Sequence, residues 1–200
     1  MLENLDRHML LAINSLNSPF FDNVMYAISG KLIWAPLYLA ILIYLGFGYR
    51  RKFLVILIFI VLLITLSDQI SVQLFKNIFH RLRPCHDPSL AGMIHLVRGH
   101  CGGLYGFVSS HASNSFAIAF LSMKLIKKKW YATGMMIWAL VICYSRVYLG
   151  VHYPGDVICG ALLGALIGLG VYRLYEITDR KILSGKTFFS GQSPDRPSTR

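Results

Sequence analysis

Three short fragments of the chain hold side chains that its apolar background otherwise excludes: Lys76-x6-Arg83-Pro84, Ser109-Ser110-His111 and Ser145-Arg146-x5-His152-x3-Asp156. Lysine offers a point charge and arginine a planar fork, so Lys76, Arg83 and Arg146 together suit an anion with several oxygens, such as phosphate. Ser109 and Ser110 stand just before a long apolar run. Their hydroxyls and the free N–H groups of that helix's first turn form a second anion-binding element. The two histidines divide the remaining work. A neutral imidazole becomes a competent nucleophile when a carboxylate holds its other nitrogen, and Asp156 follows His152 by one helical turn, with Pro154 placed to open the helix. His111 then remains to protonate the leaving oxygen and later to activate water. The cations stabilise charge on the transferring group, usually the largest single term in such reactions.

Taken singly, each residue has an ordinary reading as a capping serine, a snorkelling arginine or a satisfied histidine. Together they place a lysine, two arginines, two histidines and an aspartate close to a bilayer. That is costly, and a structural protein has little reason to bear it.

The elements that must position these residues are helices in a membrane. The 200 residues are 55% hydrophobic and only 14% charged, with a mean hydropathy of +0.54, more apolar surface than a soluble core of this size hides. Apolar runs at 32–49, 53–75, 110–126, 130–145 and 154–172 approach the roughly 20 residues that cross about 30 Å of hydrocarbon. The expected fold is therefore all-α, a polytopic bundle of about five spans. Thirteen of the twenty Lys and Arg, from Arg50–Lys52, Lys124, Lys127–Lys129, Arg173 and the residues beyond, fall on one side. By the positive-inside rule that side is cytoplasmic, so 76–109 and the loop around His152 share the opposite face. The net charge of +11 belongs to this topology, and no nucleic-acid-binding motif is present.

Residues 1–30 read as an interfacial segment, with an amphipathic helix over 2–16 and a half-helix over 20–29 broken by Gly30-Lys31. The start of the chain lacks the basic and continuous apolar regions of a signal peptide. Residues 31–176 form the membrane domain, and 177–200, rich in Ser, Gly and Pro, read as a disordered cytoplasmic tail. Gly160, Gly164 and Gly168 form a small-residue stripe expected to seat another helix of the same chain. Asp68, Gln69 and Gln73 are expected to face the bundle interior in support of Lys76. Cys85 and Cys101 allow a disulfide if the outer face is oxidising, or a zinc site with His86 and His100, which adjacent ligands would fit awkwardly. His80 and His95 are expected to face headgroups or solvent.

The three fragments in this order closely resemble the signature of the superfamily of type 2 phosphatidic acid phosphatases and vanadium haloperoxidases, K-x6-RP, PSGH and SR-x5-H-x3-D. The first and third match at every fixed position. In the second, Val108 replaces Pro and Ser110 replaces Gly. The resemblance implies a helical bundle in which Lys76, Arg83, Ser109, Ser110 and Arg146 hold phosphate, His152 forms a phosphohistidine, His111 is acid and base, and Asp156 partners His152. It implies no metal and no cofactor in the phosphatase branch, and a lipid phosphate as substrate. The short bacterial membrane type looks most similar, which implies an inner membrane with the site facing the periplasm. On family grounds undecaprenyl diphosphate is expected, with lipid A phosphate and phosphatidylglycerol phosphate as alternatives. Haloperoxidase-like oxidation suits soluble members better, and a non-catalytic scaffold would be expected to have lost His152 or Arg146.

Overall fold

Pro19, Pro36 and Pro154 each sit in the first turn of a helix, where a residue without an N–H removes no hydrogen bond. The computed structural model describes residues 2–183, and in it these prolines open three of the long helices. The order is α1 (Leu2–Asn14), α2 (Pro19–Ser29), α3 (Ala35–Tyr49), α4 (Phe53–Gln69), a short terminal turn α5 (Asn77–Phe79), α6 (Ser110–Ile126), α7 (Lys129–Tyr148) and α8 (Pro154–Thr178). A wider-wound stretch, Ile70–Lys76, joins α4 to α5. The described residues form helices and no strand, the all-α fold expected. The helical interruption at Gly30 also falls where the sequence puts it.

Among the described residues, two stretches are long and apolar enough to cross a membrane, Leu32–Phe79 and Pro154–Lys181. The first contains two of the five expected crossings, because Arg50 adopts a φ of 44° and folds α3 back on α4. Tyr49 donates to the Leu125 carbonyl at one end of α6, whereas Ser67 meets Ser113 nearer the other. At 17 residues, α6 is shorter than the usual crossing, so the finer count of five does not follow from length alone. The outer faces of α3, α4 and α8 carry exposed Phe47, Leu54, Ile58, Leu162 and Leu166, a surface suited to lipid rather than to water.

The centre of the bundle is the α6–α8 seam. A Cβ on Gly160 would lie 2.6 Å from the Ser109 carbonyl oxygen, and one on Gly168 would lie 2.8 Å from that of Ala117. The glycine stripe therefore seats a helix of the same chain, and it brings the start of α6 beside the start of α8. Trp138 on α7 packs edge-on to both Trp34 and Tyr38, which ties α3 to the far side.

Some expectations fail. Gln69 and Gln73 are exposed, and Gln73 accepts from Asn77 at 3.0 Å, while only Asp68 turns inward. The tail does not begin at 177, since helix continues through Thr178 and a wide turn runs to Leu183. The rest of the expected tail, 184–200, lies outside the described residues.

Candidate active site

The loop between α5 and α6 is clipped in two places, by a disulfide and by a backbone bridge. Cys85 and Cys101 form a disulfide, Leu82 and Tyr105 make an isolated β-bridge, and the Arg83 N–H donates to the Leu104 carbonyl at 3.0 Å. The bridge consumes both thiols, which removes them from any zinc set with His86. It also fixes Arg83, whose guanidinium is backed by Gly102 in a left-handed turn at φ +87°, with an ideal Cβ 3.6 Å from Cζ.

Arg83 is 8% exposed and His152 1%. One Arg83 nitrogen, Nη1, lies 3.1 Å from His152 Nε2 and 3.3 Å from the Val151 carbonyl. Guanidinium only donates, so Nε2 must carry the lone pair and Nδ1 the proton. Burial first, and the Arg83 charge second, push His152 well below the usual imidazole range and keep it neutral. A neutral imidazole with its Nε2 lone pair aimed at a cation cluster is the form a nucleophile needs.

Lys76 donates to Ser110 Oγ at 3.0 Å, and Ser71 Oγ donates to the same hydroxyl at 2.9 Å. Support for Lys76 thus comes from Ser110 on the facing helix, itself bonded by Ser71, rather than from the glutamines. Arg146, near the end of α7, donates to Ser29 Oγ at the end of α2. Ser109 and Ser110 stand at the start of α6, as expected, but the Ser109 N–H is spent on the Asp156 carbonyl at 3.0 Å. Ser145 bonds back to Ile142 within its own helix. Among the described residues, the buried side-chain atoms without a partner include Arg83 Nε, Arg146 Nε, Ser109 Oγ and His152 Nδ1. Nδ1 of His152 faces Asp156, whereas the atoms of Arg83, Arg146 and Ser109 belong to residues expected to hold phosphate, as a site shaped for a polar ligand would leave them.

His111, half-buried on the first turn of α6, has Arg146 and Arg83 among its charged neighbours and lies near His152. With Ser29, Lys31, Asp68 and Ser110 it also lines a cavity of about 450 Å³. The walls beyond are apolar, formed by Trp34, Tyr38, Ile41, Leu45, Ile64 and Ile118. The cation cluster and an apolar groove therefore meet at His111.

Asp156 is where geometry and sequence pattern differ most. Its carboxylate is fully buried, and its Oδ2 lies 3.5 Å from His152 Nδ1, longer than an ordinary hydrogen bond. The same oxygen accepts the Tyr153 N–H at 3.1 Å, and Oδ1 takes Arg81 at 2.7 Å. Arg81, Asp6 and Ser29 are the residues missed by reading the sequence. Arg81 had a signal, as a third cation between Lys76 and Arg83, but Asp6 and Ser29 lie in helices that read as peripheral. His95, part-exposed, also reaches Asp22 at 2.9 Å.

The PAP2 superfamily model matches residues 53–179, which include all three fragments. The chain belongs to this superfamily. It is 38% identical to the lipid A 4'-phosphatase of Bacteroides thetaiotaomicron over 90% of this chain and 79% of that one, and 34% identical to that of Porphyromonas gingivalis over 85% and 72%. The undecaprenyl-diphosphatase of Sulfolobus acidocaldarius shares 41% identity, but over only 32% of this chain and 30% of its own. In fold the chain is similar to the PAP2-type phosphatidylglycerolphosphate phosphatase of Bacillus subtilis, with a TM-score of 0.69 at 24% identity, covering 90% of this chain and 89% of that one. This PAP2 member is an integral membrane lipid phosphatase.

Proposed function

We propose that the substrate is a lipid A-type glycolipid and that its phosphate monoester is cleaved through a phosphohistidine on His152, at the outer face of a bacterial inner membrane. The junction of cation cluster and apolar groove carries this reading. A phosphate held by Lys76, Arg83, Arg146, Ser109 and Ser110 leaves its lipid chains beside the cavity that Ser110 and His111 line. Identities of 38% and 34% to lipid A 4'-phosphatases, against 29% to a putative undecaprenyl-diphosphatase of Escherichia coli over a similar share of this chain, support this substrate over the undecaprenyl diphosphate that the family resemblance first suggested.

In the first step Arg83 turns from Nε2 to the phosphate, and the Nε2–P bond forms as the P–O bond to the sugar breaks. Protonated His111 gives its proton to the departing oxygen. In the second step water attacks phosphorus, His111 takes the water's proton, and the P–N bond breaks to release phosphate. Asp156 holds the Nδ1 side of the ring and offsets the positive charge that develops there.

Phosphate release from purified full-length protein in detergent, with and without chelator, tests the reading. The panel comprises lipid A bearing a 4'-phosphate, undecaprenyl diphosphate and phosphatidylglycerol phosphate. The expected result is fastest loss from lipid A, unaffected by chelator and blocked by vanadate. Preference for undecaprenyl diphosphate would overturn the substrate, and strict magnesium dependence would overturn the mechanism.

A further inference from the structure

Asp156 is a fully buried carboxylate, and removing such a group from water costs several kcal/mol unless a cation accompanies it. Arg83 is the nearer candidate by sequence motif, yet its guanidinium faces Val151 and His152 and is needed by the phosphate. A cation that must serve the substrate cannot also serve as the fixed partner of Asp156.

Arg81 does serve in that way. Its Nη1 lies 2.7 Å from Asp156 Oδ1, and its Nη2 lies 2.6 Å from Asp6 Oδ2 on α1. Tyr153, which separates His152 from α8, lies under the guanidinium with its ring centroid 4.2 Å away. Asp6 is itself fixed, because its other oxygen accepts the Gly155 N–H at 2.7 Å, in the first turn of α8. A Cβ at Gly155 would come within 2.9 Å of Asp6, so glycine is needed there for the approach. The neighbouring Arg7 binds Asp87, which in turn accepts from the Tyr153 hydroxyl at 2.8 Å. Farther along α1, buried Asn14 donates to the carbonyls of Tyr148 and His95, at 2.7 and 2.9 Å. Burial opposes the Arg81 charge, but Asp156 and Asp6 outweigh it and hold the guanidinium above its ordinary range.

We infer that Arg81 is a positioning residue, bridging Asp6 of the N-terminal helix to Asp156 so that this carboxylate stays ionised and aimed at His152. The helix α1 is then a working part of the active site rather than a peripheral anchor. This rests on the reading of His152 as nucleophile. Lysine cannot replace Arg81, because a point charge does not span two carboxylates in a fixed fork.

The test uses full-length protein in detergent and lipid A 4'-phosphate as probe. Arg81→Met should lower kcat by on the order of 10²-fold, what misplacement of a reacting group can cost, with KM nearly unchanged. Arg81→Lys and Asp6→Asn should show smaller losses of the same kind. In an Asp156→Asn background, Arg81→Met should cost little more, since the carboxylate it serves is already gone. A merely structural role would instead multiply the two losses, and that result overturns the inference, as does wild-type kcat in Arg81→Met. Turnover retained by His152→Ala would mean that the nucleophile is misassigned, a separate failure. Imidazole 15N NMR checks the inference without turnover: the Nδ1–H form of His152 should dominate in the wild type and be lost in Arg81→Met, and its persistence there would overturn the proposal.

Discussion

Gly164→Ala adds one methyl group where α8 crosses α6, and the structure fixes what it meets. An ideal Cβ at this position lies 2.8 Å from the Ser113 carbonyl carbon and 2.9 Å from its Cα, both backbone atoms that no rotamer change can move. Ordinary carbon contacts lie near 3.5–4.0 Å, so the helices must separate by roughly 1 Å. Overpacking of this kind costs about 1–3 kcal/mol, and the better helix propensity of alanine returns about 1 kcal/mol. The net loss of stability is then about 0–2 kcal/mol. The effect on catalysis should be larger. The helix α6 carries Ser110 and His111, whereas α8 carries Asp156 and follows directly on His152, so the same 1 Å displaces acid from nucleophile. Misplacement of that size can cost on the order of 10²-fold in rate. The assay is kcat on lipid A 4'-phosphate beside a thermal melt of the detergent-solubilised protein, with Gly170→Ala as control. Gly170 has nothing within 4 Å of its ideal Cβ, so that variant should keep full activity and gain up to about 1 kcal/mol. Wild-type kcat in Gly164→Ala would refute the claim that the seam sets the spacing of the two histidines.

Three further outcomes are expected. His152→Ala should abolish both turnover and trapped phosphoenzyme; His111→Ala, supplied with a substrate that has a good leaving group, should accumulate phosphohistidine, which acid-quench labelling would detect. Because the folded pKa of His152 is depressed, the unfolded chain binds the extra proton as pH falls below the ordinary imidazole value of about 6.5. Stability should therefore decline below that pH by up to about 1.4 kcal/mol per unit from this group, and melts of His152→Gln between pH 7.5 and 5 should show a shallower decline. Replacing Cys85 and Cys101 by serine opens a loop spanning a sequence separation of 16, which should cost about 3 kcal/mol, visible in the melt, and raise KM as Arg83 loses its backing.

The chemistry was legible in the chain because it depends on residue type and short spacing. Lys76 with Arg83, Arg146 with His152, and His152 with Asp156 are each a few residues apart, and apolar runs that long have few structural outcomes besides helices in a membrane. The glycine stripe was legible for the same reason, since a repeat of four places Gly160, Gly164 and Gly168 on one helix face. What the sequence could not supply was the partner of each charged group. Arg81 meets Asp6 and Asp156, each 75 positions away, and Arg146 meets Ser29 across 117. Those pairings depend on how far each helix slides and rotates against its neighbours, and no local period records that. Gln69 and Gln73 show the same limit from the other side, for their place near Lys76 in sequence says nothing of which face they occupy once the helix unwinds at Ile70–Lys76. Only the packed bundle decides that α1 reaches the active site, because only there do a buried carboxylate and its compensating cation come within hydrogen-bond distance.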